Sequence, residues 1–193
     1  AFNELQHFTG LNVVAAKAFS ECMSLKEITL PAQVVAIEEY AFRRCIVLKR
    51  IIIPESVTEI GTCAFYDCLE LANIVLHRNI ADIGDSAFRS CTGTLTISSK
   101  FIESHEYNQP DENWLTDAGF TTINIGDGVT VIGTTAFRGC TSLMNVLIPA
   151  SVTSIKDAAF YGCTSLEGVY CQAELPPALS PYAFHNNSEN RKF

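Results

Sequence analysis

The dipeptide Ala-Phe returns seven times along the chain, at Ala18-Phe19, Ala41-Phe42, Ala64-Phe65, Ala87-Phe88, Ala136-Phe137, Ala159-Phe160 and Ala183-Phe184. The intervals are 23, 23, 23, 49, 23 and 24 residues, and the long one conceals a degenerate repeat. A chain with this period carries one apolar surface many times over, which restricts it to a stack of similar units. Other positions keep step. Cys stands three residues after the Phe at Cys22, Cys45, Cys68, Cys91, Cys140 and Cys163, and Asn187 takes that place in the seventh repeat. An aliphatic stands four residues before the Ala, at Val14, Ile37, Ile60, Ile83, Ile132 and Ile155. Another precedes it by three, at Leu11, Val34, Val57, Ile80, Val129 and Val152.

Between each Cys and the next Ala-Phe lies the pattern L-x-x-I-x-I-P, as in Leu25, Ile28, Leu30 and Pro31, or Leu143, Val146, Ile148 and Pro149. Aliphatics at i and i+2 put one face of a strand inward, and the Pro, lacking an N–H, ends the ladder. A unit of this size cannot bury its apolar face alone. Stacked on its neighbours, it pairs in parallel with the next and closes a continuous core. Eight coils are expected, starting at Phe2, Leu25, Leu48, Leu71, Thr94, Phe120, Leu143 and Leu166.

The strings LPAQVVAIEEYAFRRC, IPESVTEIGTCAFYDC and IPASVTSIKDAAFYGCTSL resemble the BspA-like (treponemal-type) leucine-rich repeats of bacterial cell-surface proteins, over about residues 2–184. The resemblance implies a leucine-rich-repeat solenoid, a right-handed β/α superhelix of about eight 23-residue coils forming a single domain over 1–193. Its parallel sheet would line the concave face. On the convex side a short extended piece is expected at S-V-T-x-I and a helical turn at A-F-x-x-C. The resemblance also implies a place at the cell surface or outside it, and adhesion to host matrix proteins or to other cells.

The degenerate repeat is expected over 94–119, with its strand shortened to Leu95-Thr96-Ile97. The excursion after it holds Phe101, Glu103, His105, Glu106, Tyr107, Asp111, Glu112, Trp114 and Asp117. One reading makes it an irregular coil whose Trp114 and Phe101 cover the core; the other makes it a binding loop, because aromatics anchor interfaces. The tail at 185–193 is polar, and neither end carries a cap, so a longer native protein is expected.

Composition removes several functions. Thirteen Lys plus Arg against twenty-one Asp plus Glu give a net charge of −8, the opposite of what phosphate binding needs, so no nucleic-acid partner is expected. The longest uncharged stretch, from Arg138 to Lys156, is interrupted by Pro149, so no membrane-spanning segment is expected either. Six of the eight Cys keep the repeat period, so their side chains would run parallel rather than converge into disulfides. Cys171 reads as a buried strand residue, and Cys63 as an exposed exception. No closed-site pair such as C-x-x-C is present, and no metal or other cofactor is expected. His7, His77, His105 and His185 form no set with a nucleophile and an acid, so no catalytic residues are assigned. Gly61, Gly84 and Gly133 repeat with the coil and mark turns, not a phosphate cradle.

What is left is surface. The outward strand positions are neutral and rich in hydroxyls and amides, with apolar residues among them. Arg50, Ile52, Asn73, Val75, Thr96, Asn124, Leu147 and Tyr170, with Trp114 from the excursion, are the candidate ligand-binding residues. A protein partner is expected at the concave sheet. Asn, Thr, Tyr170 and Trp114 leave a glycan-binding module open, and an architectural spacer presenting another domain is the third reading.

Overall fold

The computed structural model describes residues 8–100, 102 and 113–187. In chain order the strands are β1 (Val13–Val14), β2 (Glu27–Thr29), β3 (Ala36–Ile37), β4 (Arg50–Ile52), β5 (Glu59–Ile60), β6 (Ile74–Leu76) and β7 (Asp82–Ile83). They continue as β8 (Thr92–Ile97), β9 (Gly119–Ile125), β10 (Val131–Ile132), β11 (Asn145–Ile148), β12 (Ser154–Ile155), β13 (Gly168–Cys171) and β14 (Ala178–Leu179). All pair in parallel, and the chain forms a β-solenoid of about seven turns. That is fewer than the eight expected; the coil placed at Phe2 begins outside the described residues.

Each turn has three sides. The broad side holds the L-x-x-I-x-I strands, and its inward aliphatics, such as Ile28, Leu30, Ile74, Leu76, Val146 and Ile148, are buried. The narrow side holds the two-residue strands at S-V-T-x-I, where Val14, Ile37, Ile60 and Ile83 fall in one register column. The third side is the Ala-Phe turn. Its rings stack through the molecule, with centroids 5.1 Å apart for Phe19–Phe42, 5.3 Å for Phe42–Phe65 and 5.4 Å for Phe65–Phe88. These aromatics fill the space between coils that no single coil could close.

The Ala-Phe turns are not helical, contrary to expectation. Their amides alternate between two jobs. Ala41, Arg43 and Cys45 donate within the coil, to the carbonyls of Glu38, Tyr40 and Phe42. Tyr40, Phe42 and Arg44 donate to the next coil, to Thr62, Ala64 and Tyr66. A helix would need every amide for itself. Two left-handed residues also bracket six of the seven Ala-Phe turns, for example Tyr40 (φ 57°) and Arg44 (φ 58°), or Cys63 (φ 53°) and Asp67 (φ 57°). The right-handed run between them is three residues long, too short to propagate.

The degenerate coil departs from expectation in a second way. Its strand is not shortened: β8 begins at Thr92, three residues before the expected Leu95, and β8 and β9 are the longest strands described. A register shift between Gly93 and Thr94 lets them pair over their full length. After the excursion, Asn113 and Asp117 accept from Ser86 and Ser90, as Asp85 and Arg89 accept from Cys63 and Asp67 in a regular coil. The chain has returned to phase.

Candidate functional site

The outward side chains of the broad sheet fall into two rows. Thr29 and Ile52 are register partners, as are Val75, Thr96, Asn124, Leu147 and Tyr170 in succession. The second row contains Glu27 and Arg50, then Thr94, Thr122, Asn145 and Gly168. The candidate residues other than Asn73, which precedes β6, and Trp114 therefore take outward positions of the broad side. Ile52, Val75 and Tyr170 are about half exposed, while Thr96, Asn124 and Leu147 are half-buried by their neighbours.

Trp114 is a correction. Its side chain is wholly buried, at 6.1 Å and edge-on to Phe88 and 6.3 Å from Phe137. It fills the gap in the phenylalanine stack left by the missing Ala-Phe, so it cannot contact a ligand. The residues at 101 and 103–112, including the rest of the supposed binding loop, lie outside the described residues, as do His7 and His105.

The broad sheet is not continuous. β2 and β4 form one sheet; β6, β8, β9, β11 and β13 form another. Elsewhere an amide just before each strand donates to the preceding coil, as Lys49 does to Lys26 (2.8 Å) and Glu167 to Met144 (2.9 Å). Just after the strand, Ser98 donates to Leu76 (2.8 Å) and Gln172 to Ile148 (2.9 Å). Among the described residues the corresponding bonds from Ala72 to Lys49 and from His77 to Ile53 are not formed. Asn73 lies where the sheets part, in the left-handed region at φ 57°. An extended ladder cannot pass through that backbone, although Asn tolerates it better than most residues.

The seam opens a cleft of about 530 Å³. Ile51, Ile52, Ile53, Val75 and Ala72 supply its apolar lining, and Lys49, Arg50, Glu55, Asn73 and His77 its polar lining. Ile51 is partly uncovered, whereas its counterparts Ile28 and Ile74 are buried. Lys49 pairs with Glu70 at 3.3 Å, both exposed, while Arg50 has no ion pair among the described residues. Nδ1 of His77 accepts from the Asn79 amide (3.3 Å), which leaves the proton of the neutral ring on Nε2. That atom is buried without a hydrogen-bond partner. The periodicity concealed the seam, because Ile51, Ile53, Ile74 and Leu76 keep the repeat perfectly. Asn73 in a strand and His77 in place of a terminating Pro were the signals available.

All eight Cys are free thiols. In the ladder, Cys45, Cys68, Cys91 and Cys163 donate to the carbonyls of Phe19, Phe42, Phe65 and Phe137 at 3.0–3.4 Å. Asn187 plays a different part, accepting from the Cys163 amide at 2.9 Å. Burial pushes the Cys91 thiol well up, so it is not a nucleophile. Cys171, expected to be buried, is exposed because β13 is an edge strand of its sheet. Cys63 is half-buried rather than exposed, and burial raises its pKa as well. Among the described residues no group of three or more His, Cys, Asp or Glu could hold a metal ion, and no helix is long and apolar enough to cross a membrane. Behind the broad sheet, Glu38, Glu39, Glu59 and Asp82 line a shallow groove of about 380 Å³. A row the sequence reading missed runs along the turns, where Arg43 lies over the rings of Tyr40 and Tyr66, and Arg89 over Tyr66.

The family model for the BspA-type leucine-rich-repeat region matches residues 12–109 and 111–193, in six copies. No curated protein matches the chain. Among solved structures, a leucine-rich-repeat protein of T. pallidum is 30% identical with a TM-score of 0.51, covering 86% of this chain and 65% of its own. One from Eubacterium ventriosum is 22% identical with a TM-score of 0.63, covering 92% of this chain and 46% of its own. The chain thus spans less than two thirds of the length of either. With six matched repeats over most of its residues, the chain belongs to the BspA-type leucine-rich-repeat family.

Proposed function

We propose that the chain is a non-catalytic protein-interaction module of a bacterial cell-surface protein. Its broad sheet, the concave face in leucine-rich repeats, would contact a protein of the host matrix or of another cell. The observation that carries this reading is the outward row of Ile52, Val75, Thr96, Asn124, Leu147 and Tyr170, held on parallel strands by a buried core. A surface fixed in this way loses little freedom on binding, and its half-exposed apolar residues suit the centre of an interface. The placement at the cell surface and the adhesive role follow from the family alone. Burial of Trp114 removes one of the two aromatics that favoured a glycan, and Tyr170 remains.

The test is an array of matrix proteins and glycans, followed by two double variants against whatever binds. Ile52→Glu with Val75→Glu is expected to abolish binding and leave the fold intact. Glu59→Ala with Asp82→Ala, on exposed positions of the narrow side, is expected to leave binding unchanged. The reverse result would move the site to the narrow side.

A further inference from the structure

The far end of the broad sheet differs in chemistry from the end that carries Ile52 and Val75. The strands β8, β9, β11 and β13 contain no charged residue, in a chain whose net charge is −8. β2 and β4, by contrast, bring Glu27 and Arg50 to the broad side. Across the uncharged strands one register line runs through Thr94, Thr122, Asn145 and Gly168. The side chains of Thr94, Thr122 and Asn145 form no hydrogen bond with other described residues. Each can donate and accept, so the line is open to a partner that does both.

At Gly168 the line acquires an aromatic ring. A Cβ on Gly168 would lie 2.6 Å from Cε2 and 2.8 Å from Oη of Tyr170, and 2.6 Å from Oδ1 of Asn145. Tyr170, two residues on in the same strand, therefore leans back into the space that a side chain at 168 would fill. A glycine inside a strand often marks a close approach, and here it admits the ring. The phenol hydroxyl is brought beside the Asn145 amide, while the ring as a whole stays about half exposed. An apolar ring next to uncommitted hydroxyls and an amide suits a sugar, which has an apolar C–H face and a rim of hydroxyls. Neighbouring strands stand about 4.8 Å apart, close to the length of one sugar ring in an extended oligosaccharide. A charged glycan would find no opposite charge on these strands.

We infer that the sheet from β8 to β13 binds a neutral oligosaccharide of about four sugars laid across the strands, one sugar against Tyr170 and the others along Asn145, Thr122 and Thr94. This deepens the protein-binding reading above and rests on it for the carrier. The partner would be a glycosylated protein whose polypeptide meets Ile52 and Val75.

The experiment places the intact chain on an array of neutral, sialylated and sulfated glycans. The free oligosaccharide of the strongest spot is then titrated by calorimetry. Neutral glycans are expected to bind, and acidic forms of the same glycans to bind no better. Tyr170→Ala should weaken binding about tenfold or more, and Tyr170→Phe, which keeps the ring, far less. Asn145→Leu should weaken it roughly fivefold. Gly168→Ala should weaken it too, because the added Cβ displaces a ring that is itself unchanged. Tyr170 is exposed, so its variants should keep the wild-type circular dichroism. Ile52→Glu with Val75→Glu should leave the free oligosaccharide bound while abolishing binding of a protein. Affinity that survives both Tyr170→Ala and Asn145→Leu would overturn the site, as would affinity lost with Ile52→Glu and Val75→Glu. An array on which no neutral glycan binds, or on which acidic forms bind better, overturns it as well. A matrix protein still held through Ile52 and Val75 would then keep the protein-binding reading. Neutral glycans that bind through Tyr170 when no protein does would keep the site and overturn that reading.

Discussion

The degenerate fifth coil and the seam between β4 and β6 break the repeat in opposite ways. In the coil the sequence departs widely from the pattern, yet the broad sheet runs through it on the two longest strands, β8 and β9. The narrow sheet is interrupted there, between β7 and β10. At the seam the inward positions keep the pattern on both sides, yet the broad sheet parts while the narrow sheet runs on from β3 through β5 to β7. The repeat consensus encodes inward positions, and filling these is enough to keep coils stacked. Whether neighbouring strands also bond depends on the backbone at outward positions, where one residue such as Asn73 decides.

If the core tolerates any aromatic that fills the stack, truncation should hurt equally in regular and irregular coils. Phe65→Ala and Phe137→Ala are each expected to cost about 3–5 kcal/mol, and Trp114→Ala the same. All three side chains are fully buried, and urea unfolding measures the loss. A cost below about 1 kcal/mol at Trp114 would mean that the fifth coil packs loosely and that the equivalence of the two coils fails.

That equivalence also marks how far the sequence could be read. The period located the inward aliphatics, the aromatic stack and the free-thiol ladder, because each depends on one residue type recurring at one distance. It gave no sign that Tyr40 and Arg44 take left-handed backbone, so nothing in it opposed the helical turns that the resemblance implied. It also misjudged Cys171, because an edge strand leaves exposed a position that is buried elsewhere. The row from Val75 to Tyr170 was legible from alternation alone. The cleft was not, because it arises from bonds that fail to form between residues that match the pattern.

A smaller effect tests how closely regular coils approach. A Cβ on Gly84 would collide with the Thr62 nitrogen, and one on Gly61 would lie 2.6 Å from the Glu39 nitrogen. Glu38 and Lys156 stand at the same place in other coils, so a coil can open to admit a side chain. Gly84→Ala is therefore expected to cost about 1–3 kcal/mol by calorimetry or urea unfolding. No loss would mean that the regular coils are no tighter than the irregular one.

The thiol ladder gives a pH dependence. Burial holds the Cys91 pKa above the value of an unfolded thiol. Its contribution is fully present below the unfolded pKa, near 9, and is lost as pH rises from there toward the folded value. Each such thiol should steepen the alkaline loss by about 1.4 kcal/mol per pH unit. Cys91→Ala should flatten that slope relative to wild type above pH 9. Equal slopes would mean that the ladder opens before it titrates.

The smallest expected change in stability tests the seam most directly. Thr94 and Thr122 lie in the same outward row and take strand backbone, so Asn73→Thr places there a residue the ladder accepts. A β-branched side chain disfavours the left-handed backbone by about 1–2 kcal/mol, which pushes residue 73 toward an extended conformation. If the strand straightens, bonds from Ala72 to Lys49 and from His77 to Ile53 become possible, each worth about 0.5–1.5 kcal/mol. The two effects oppose, and the net change should stay within about 1 kcal/mol. Amide hydrogen exchange reads what stability cannot. In wild type the amides of Ala72 and His77 are expected to exchange far faster than those of Lys49 and Gln172, their counterparts at bonded junctions. In Asn73→Thr they should slow toward those counterparts. Fast exchange that persists in the variant would show that Asn73 is not what holds the sheets apart. Slow exchange in wild type would show that the broad sheet is continuous in solution, and the difference between the seam and the fifth coil would disappear.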